Sequence, residues 1–304
     1  MRKTIFLFPG QGSQKKIMVS SLYDKFSIIR NMIKYVSKLF GYNLLNILKN
    51  SSKLNDTINA QPLVLIVSVA FWRLWNQKNG YKPVLLVGHS LGEYTALVCS
   101  NSLSLKNMII LILKRAKIMR DVSKKNNLSM MSILNIHSIN MEKVFLKIKK
   151  RCYLEISNIN SKKQIVISIK KSNIFIISKI LNFYEIKYIV LQINVASHCN
   201  IMYCISRLFR NVLNFINYKK LTYALLHNLN MNYCKNFLDI NKILVRHIYK
   251  NIVWMDIMKY IEYIGIKYVI ECGYGDILKK LTNRMTKISC ENINNYGKFK
   301  KNTI

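Results

Sequence analysis

Glycine, proline and carboxylate are the scarce commodities of this 304-residue sequence: 10 glycines, 3 prolines and 13 aspartates and glutamates, against 48 lysines and arginines. With so few glycines, a chance Gly-x-Ser-x-Gly is rare, and with so few carboxylates a third member for any catalytic triad is hard to place. The seven cysteines (99, 152, 199, 204, 234, 272 and 290) are odd in number and form no C-x-x-C pair, which argues against a disulfide frame and a zinc site and for reduced thiols. No apolar run is long enough for a bilayer. The longest, Pro62 to Trp72, is interrupted by Ser68. Met1-Arg2-Lys3-Thr4 leads straight into a strand without a signal-peptide pattern, so a cytoplasmic protein without a membrane anchor is expected.

No RNP sequence or paired Cys/His ligands accompany the formal net charge of +35, and the lysines are spread along the chain. Lysine rises together with Asn, Ile and Tyr, the residues of A/T-rich codons. Base-composition drift is therefore the simpler cause, and no nucleic-acid partner is expected. A basic surface also favours attraction of an acidic protein partner by long-range steering.

What is present begins with 51% hydrophobic residues, enough for a large core. Val84-Leu85-Leu86-Val87 reads as a buried strand, Gly88-His89-Ser90-Leu91-Gly92 as a sharp turn, and a helix follows from Glu93. This is the strand–turn–helix setting of a nucleophile elbow. Glycines flank the serine because larger neighbours would clash, the hydroxyl stands clear of the sheet, and the Leu91 amide faces the same way.

Around the elbow the chain reads as strands alternating with helices. Thr4–Phe8 is a first strand, followed by the tight loop Pro9-Gly10-Gln11-Gly12-Ser13-Gln14. This loop lacks both the third glycine of a dinucleotide fold and the Gly-Lys-Ser/Thr of a P-loop, so it is read as bringing a backbone amide near a reacting oxygen. Helices are expected over 20–40, from Asp56 to Trp75 (apolar nearly all round, hence buried), and from Leu105 to about Val122. From Leu128 the order becomes β-α-β-β-α-β: strands at 129–136, 154–157, 164–169 and 188–193, with Asn158–Ser161 a turn, Asn140 and Ser172 capping the two helices, and His137 in this unit. The remainder has a helix over 200–215 burying Met202, Ile205, Leu208 and Val212, a strand over 221–226, helices over 241–249 and 255–264, a strand at 267–270, a helix at 276–284 and a polar tail. The expected fold is α/β: an α/β-hydrolase-like core with a mostly parallel sheet, discontinuous over 1–125 and 196–304, and an inserted ferredoxin-like unit over 126–195.

A serine nucleophile needs a base. His198 sits at the end of an expected strand, where groups project into the site. On sequence alone, His227 and His247 remain its equals, because geometry decides a base.

The ordered motifs Phe8-Pro9-Gly10-Gln11-Gly12-Ser13-Gln14, Gln61-Pro62, Gly88-His89-Ser90-Leu91-Gly92-Glu93-Tyr94, Arg115, Asn158-x-Asn160-Ser161-x-x-Gln164, Ser197-His198 and Glu271-x-Gly273-x-Gly275 resemble the malonyl-CoA:acyl carrier protein transacylase family of bacterial fatty acid synthesis over about residues 3 to 285. The resemblance implies Ser90 as the acylated nucleophile and His198 as its base, oriented by a backbone carbonyl. It further implies the amides of Gln11 and Leu91 as oxyanion hole and Arg115 as the malonyl carboxylate clamp. Gln61, Asn160 and His247 are expected in supporting positions. It implies malonyl-CoA and phosphopantetheinylated acyl carrier protein as substrates, no cofactor or metal, and a monomer. The chain departs from the family pattern at His247, where Gln or Asn is usual, at Leu128 and Ser129, at Ile169 in place of glycine and at Tyr274 in place of proline; the last two suggest strain. Rival readings are a serine thioesterase or hydrolase on the same elbow, an acyltransferase of other acyl selectivity, and a basic scaffold with a relict site.

Overall fold

The computed structural model describes residues 3–14, 23–78, 82–136, 141–229, 231–234 and 237–293. Its strands are β1 (Ile5–Phe8), β2 (Leu85–Gly88), β3 (Leu128–Leu134), β4 (Leu154–Ser161), β5 (Gln164–Lys170), β6 (Lys187–Val190), β7 (Leu225–Leu226), β8 (Tyr268–Glu271) and β9 (Ser289–Asn292). Its helices are α1 (Ser27–Phe40), α2 (Leu44–Lys49), α3 (Ser51–Asn55), α4 (Thr57–Gln77), α5 (Leu91–Cys99), α6 (Leu105–Lys125), α7 (Met141–Lys149), α8 (Ile174–Phe183), α9 (Ser206–Asn214), α10 (Phe237–Tyr249), α11 (Trp254–Tyr263) and α12 (Ile277–Met285). His137 and Asn140 lie outside the described residues.

The larger sheet runs β7-β2-β1-β8-β9, and every pairing in it is parallel. Parallel strands buried on both faces read as unbroken apolar runs, and β1 shows why. Phe6 and Phe8 turn to one face and pack with α4, where Trp72 and Trp75 both meet Phe6 edge-on at 5.2 Å. Ile5 and Leu7 turn to the other and meet Trp254, Ile257 and Met258 of α11. Helix α4 is long and apolar enough to cross a membrane, yet protein covers 83% of its most apolar stretch. It starts where expected, with Asp56 accepting from the Ile58 amide at 3.0 Å.

The smaller sheet is antiparallel, in the order β4-β5-β3-β6. Together with α7 and α8 packed on one face, this is the ferredoxin-like arrangement of a β-α-β-β-α-β unit. Ile169 is fully buried in regular β5 and belongs to this core, so it fills space there rather than straining the backbone. Hydrogen bonds between β4 and Ile252 (Ile159 N to Ile252 O, 2.8 Å; Ile252 N to Ser157 O, 2.9 Å) join the smaller sheet to the segment before α11.

Several local expectations differ from the structure. Asn158–Ser161 continues β4 instead of turning, because Asn158 and Ile159 pair with Val166 and Ile165, and the hairpin turn falls on Lys162-Lys163. Ser172 does not cap α8. A 3₁₀ turn over Lys171–Asn173 precedes that helix, and the Ser172 hydroxyl binds Asn173. Residues 200–205 are also 3₁₀ before α9 begins. The tighter turn shifts the phase, so Phe209 and Leu213 are buried and Leu208 is exposed. Residues 219–222 bond to the carbonyls of Ser100 and Ser102 and leave only Leu225–Leu226 for the sheet. β9 was not expected, because Ser289-Cys290-Glu291-Asn292 carries no apolar pattern.

Candidate active site

The residues singled out by motif gather at the carboxyl ends of the parallel strands, where open α/β sheets place their ligands. Ser90 follows β2 with φ 53° and ψ −112°, a conformation whose strain is on the order of 1–3 kcal/mol for a residue with a Cβ. Neighbouring packing holds it there. A Cβ on Gly92 would lie 1.9 Å from the Phe8 carbonyl oxygen, and one on Gly88 would lie 1.9 Å from the Gly92 carbonyl carbon. The elbow is therefore pressed against β1, to which His89 also donates its amide at 2.9 Å.

His198 is the partner of Ser90. Its Nε2 lies 2.8 Å from Ser90 Oγ, and its Nδ1 lies 3.2 Å from the Lys250 carbonyl. A carbonyl only accepts, so Nδ1 carries the proton and Nε2 is left to accept from the serine. The His198 amide donates to Ile248 O at 2.9 Å, so the end of α10 holds both main chain and ring. Burial, then the positive Arg115 and the neighbouring His89, push the His198 pKa down to about 3, so the ring is neutral at pH 7. A serine hydroxyl bonded to a neutral imidazole with a fixed tautomer can act as a nucleophile–base pair.

The other described histidines do different work. His89 bonds through Nε2 to Asn160 Oδ1 at 3.1 Å, linking the elbow to β4. His247 is fully buried with its ring centre 5.2 Å from that of His198, and burial holds its pKa well below the ordinary value, so it stays uncharged. It lies behind the Ser90–His198 pair and does not line the cavity. His227 bonds through Nδ1 to the buried Glu93 Oε1. Burial alone would lower its pKa, but the Glu93 charge and hydrogen bond outweigh it and hold it at about 9.

Asn228, next to His227, carried no motif signal. Its Oδ1 accepts from the Ser90 amide at 3.2 Å, and its Nδ2 donates to Gly88 O at 2.5 Å and to Glu93 Oε2 at 2.9 Å. The only hint available to sequence reasoning is its place just past a strand expected to join the elbow's sheet.

Arg115 from α6 is 2% exposed and donates through Nη1 to Gln61 Oε1 at 2.6 Å. Gln61 Nε2 approaches Gln11 Oε1 at 3.5 Å, and Gln11 Nε2 donates to Thr57 at 2.9 Å. Among the described residues, Arg115 Nε and Nη2 meet no acceptor. A buried guanidinium with free donors calls for an anion. A cavity of about 250 Å³ brings Ser90, His198, Gln11, Leu91, Arg115, Gln61 and Asn160 together, with apolar walls that include Met119, Met130 and Val166. Of the site residues expected from the sequence, all but His247 and the alternative base His227 therefore line one space.

The sequence profile of the acyl transferase domain family matches residues 5–234. The malonyl CoA-acyl carrier protein transacylase of Buchnera aphidicola subsp. Schizaphis graminum is 31% identical over 303 residues, covering 98% of this chain and 97% of that protein. The enzyme of the same name from Escherichia coli K12 is 28% identical over 94% of this chain and 93% of its own length. Among solved structures, FabD from Acinetobacter baumannii superposes with a TM-score of 0.90 at 30% identity over 98% of this chain and 96% of its own. A malonyl-transacylase solved in complex with a type II polyketide acyl-carrier protein superposes with a TM-score of 0.88 at 28% identity, covering 95% of this chain and 94% of its own.

Proposed function

The chain belongs to the acyl transferase domain family, and from that premise we propose that it moves a malonyl group from malonyl-CoA, through an ester on Ser90, to the phosphopantetheine thiol of acyl carrier protein, supplying fatty acid synthesis. As Ser90 Oγ attacks the thioester carbonyl, His198 Nε2 takes its proton. The oxyanion forms between the Gln11 and Leu91 amides, and a lost donor of this kind slows such a step by about 10²–10³-fold. The C–S bond breaks and the CoA sulfur leaves with the proton from His198. In the second half, His198 takes the proton of the carrier thiol, the sulfur attacks the Ser90 ester, and the proton returns to Ser90 Oγ.

Donor and product are both thioesters, so the exchange is nearly balanced and asks for no redox or Lewis-acid group. The same reading makes the enzyme a cytoplasmic monomer that works without a cofactor.

One observation carries the proposal: Arg115, which lines the cavity of Ser90 and His198, is buried, and among the described residues its Nε and Nη2 have no acceptor. A guanidinium fork matches a carboxylate bidentately, whereas plain ester hydrolysis has no use for it. An acetyl group would leave this charge unpaired, a penalty of roughly 1–3 kcal/mol or more.

Intact-mass measurement after mixing with malonyl-CoA tests the reading. A malonyl adduct is expected on the native protein, absent from Ser90→Ala, and transferable to the carrier protein. Release of free malonate with no labelling of the carrier would overturn it in favour of a thioesterase.

A further inference from the structure

Behind the elbow, on the side away from the cavity, lies a buried polar group that the proposed reaction does not use: Glu93, His227, Asn228 and His247. Sheet register explains its position. β7 runs parallel to β2 with Leu226 paired to Val87, so two residues further along both chains Asn228 comes level with His89. Its side chain therefore reaches the residues on either side, Gly88 and Ser90.

We propose that Asn228 is a positioning residue for the nucleophile, clamping the strained elbow from behind through the Gly88 carbonyl and the Ser90 amide. The inference rests on reading Ser90 as the acylated nucleophile. Asn228 is 3% exposed and does not line the cavity, so it acts through the backbone and not on the acyl group. Its hydrogen-bonding capacity is used in a way few side chains could copy. The Ser90 amide demands an acceptor, the Gly88 carbonyl demands a donor, and the second Nδ2 hydrogen goes to Glu93 Oε2. An amide is the one group of this size that supplies an acceptor and two donors. Aspartate would lose both donors and face the Glu93 carboxylate.

Glu93 in turn holds the clamp. It sits in the first turn of α5, accepts from the Asn228 side chain and, at 3.4 Å, from its amide, and bonds His227 through its other oxygen. The helix that begins at the elbow is thus tied to the exit of β7. The clamp matters because Ser90 holds φ 53° against its own preference. Relaxation there would swing both Oγ, now 2.8 Å from His198, and the Leu91 amide that continues the same turn.

The test compares the native protein with Asn228→Ala in two assays, each on protein shown to be folded by circular dichroism. The first is rapid-quench acylation by malonyl-CoA; the second is inactivation by phenylmethanesulfonyl fluoride, which reads the reactivity of Ser90 without an acyl-CoA. Both rates are expected to fall by about tenfold to a hundredfold, the scale of a nucleophile displaced by about 1 Å, with KM for malonyl-CoA nearly unchanged. A folded Asn228→Ala that keeps native rates, or that loses only affinity, overturns the proposal. If that variant does not fold, Asn228→Ser carries the same measurement with the same two outcomes. The fluoride arm keeps the two readings apart. Native protein that reacts with the fluoride but never acylates sinks the malonyl reading alone, whereas variants that react at native rates sink this one alone.

Discussion

Arg115 gives one Nη1 hydrogen to Gln61 Oε1 at 2.6 Å, and among the described residues its Nε and Nη2 have no hydrogen-bond acceptor. Replacing Arg115 with alanine should lower kcat/KM for malonyl-CoA by about 10²–10³-fold, the scale of losing a buried charge-assisted pair. The rate with acetyl-CoA should fall far less. Steady-state kinetics with both thioesters checks this, and equal losses would remove Arg115 from selectivity.

Gln61→Glu would put a carboxylate where the amide oxygen now meets Arg115. An internal anion then competes with the substrate's own. Steady-state kinetics should show kcat/KM for malonyl-CoA dropping by about tenfold or more while that for acetyl-CoA rises, because the penalty for leaving Arg115 unpaired is removed.

The pH dependence follows from His198. Its pKa is lowered from 6.5 to about 3 by burial, Arg115 and His89. The free enzyme should therefore keep its base on the acid side well past the midpoint of an ordinary imidazole, with the acid limb of kcat/KM for acylation far below pH 6.5. Arg115→Ala removes a cationic neighbour and should move that limb upward. In stability, a depressed pKa contributes fully above 6.5 and loses that contribution as pH falls toward 3.

His227 has the opposite sign. Its pKa is raised from 6.5 to about 9 because the charge and hydrogen bond of Glu93 outweigh burial. The stability it contributes is full below 6.5 and is lost as pH rises through 9. Thermal unfolding followed across this range should show an alkaline decline that His227→Asn flattens. An equal decline in both proteins would assign it elsewhere.

Gly92→Ala should prevent proper folding of the elbow, since a Cβ there would meet the Phe8 carbonyl oxygen at 1.9 Å. Backbone displacement of this kind costs about 1–3 kcal/mol or more. A clear fall in melting temperature and in fluoride reactivity is expected.

The elbow, the alternation of strands and helices, and the ferredoxin-like insertion were legible because each is written in a short contiguous pattern. An apolar run ending in Gly-x-Ser-x-Gly has few structural solutions, and the 51% hydrophobic content supplied the core to bury it. Where local pattern misled, a long-range contact or a change of helix type had won. Asn158–Ser161 has turn composition but is held in β4 by pairing with β5, and Leu208 lost its buried place when a 3₁₀ start shifted the phase of α9. β9 was hidden because a polar edge strand is specified by its partner β8.

By itself the sequence determined that a serine stands on a strained turn with histidines available, because the glycine spacing leaves that turn little freedom. Which histidine meets it was decided only in three dimensions. His198 is separated from Ser90 by 108 residues and meets it through the end of α10, while His227, equal on paper, is drawn to Glu93. Asn228, 138 residues from Ser90, became visible only through the register of β7 against β2. Local spacing can specify a turn, but the distance between side chains far apart in sequence is set by how the sheet stacks its strands.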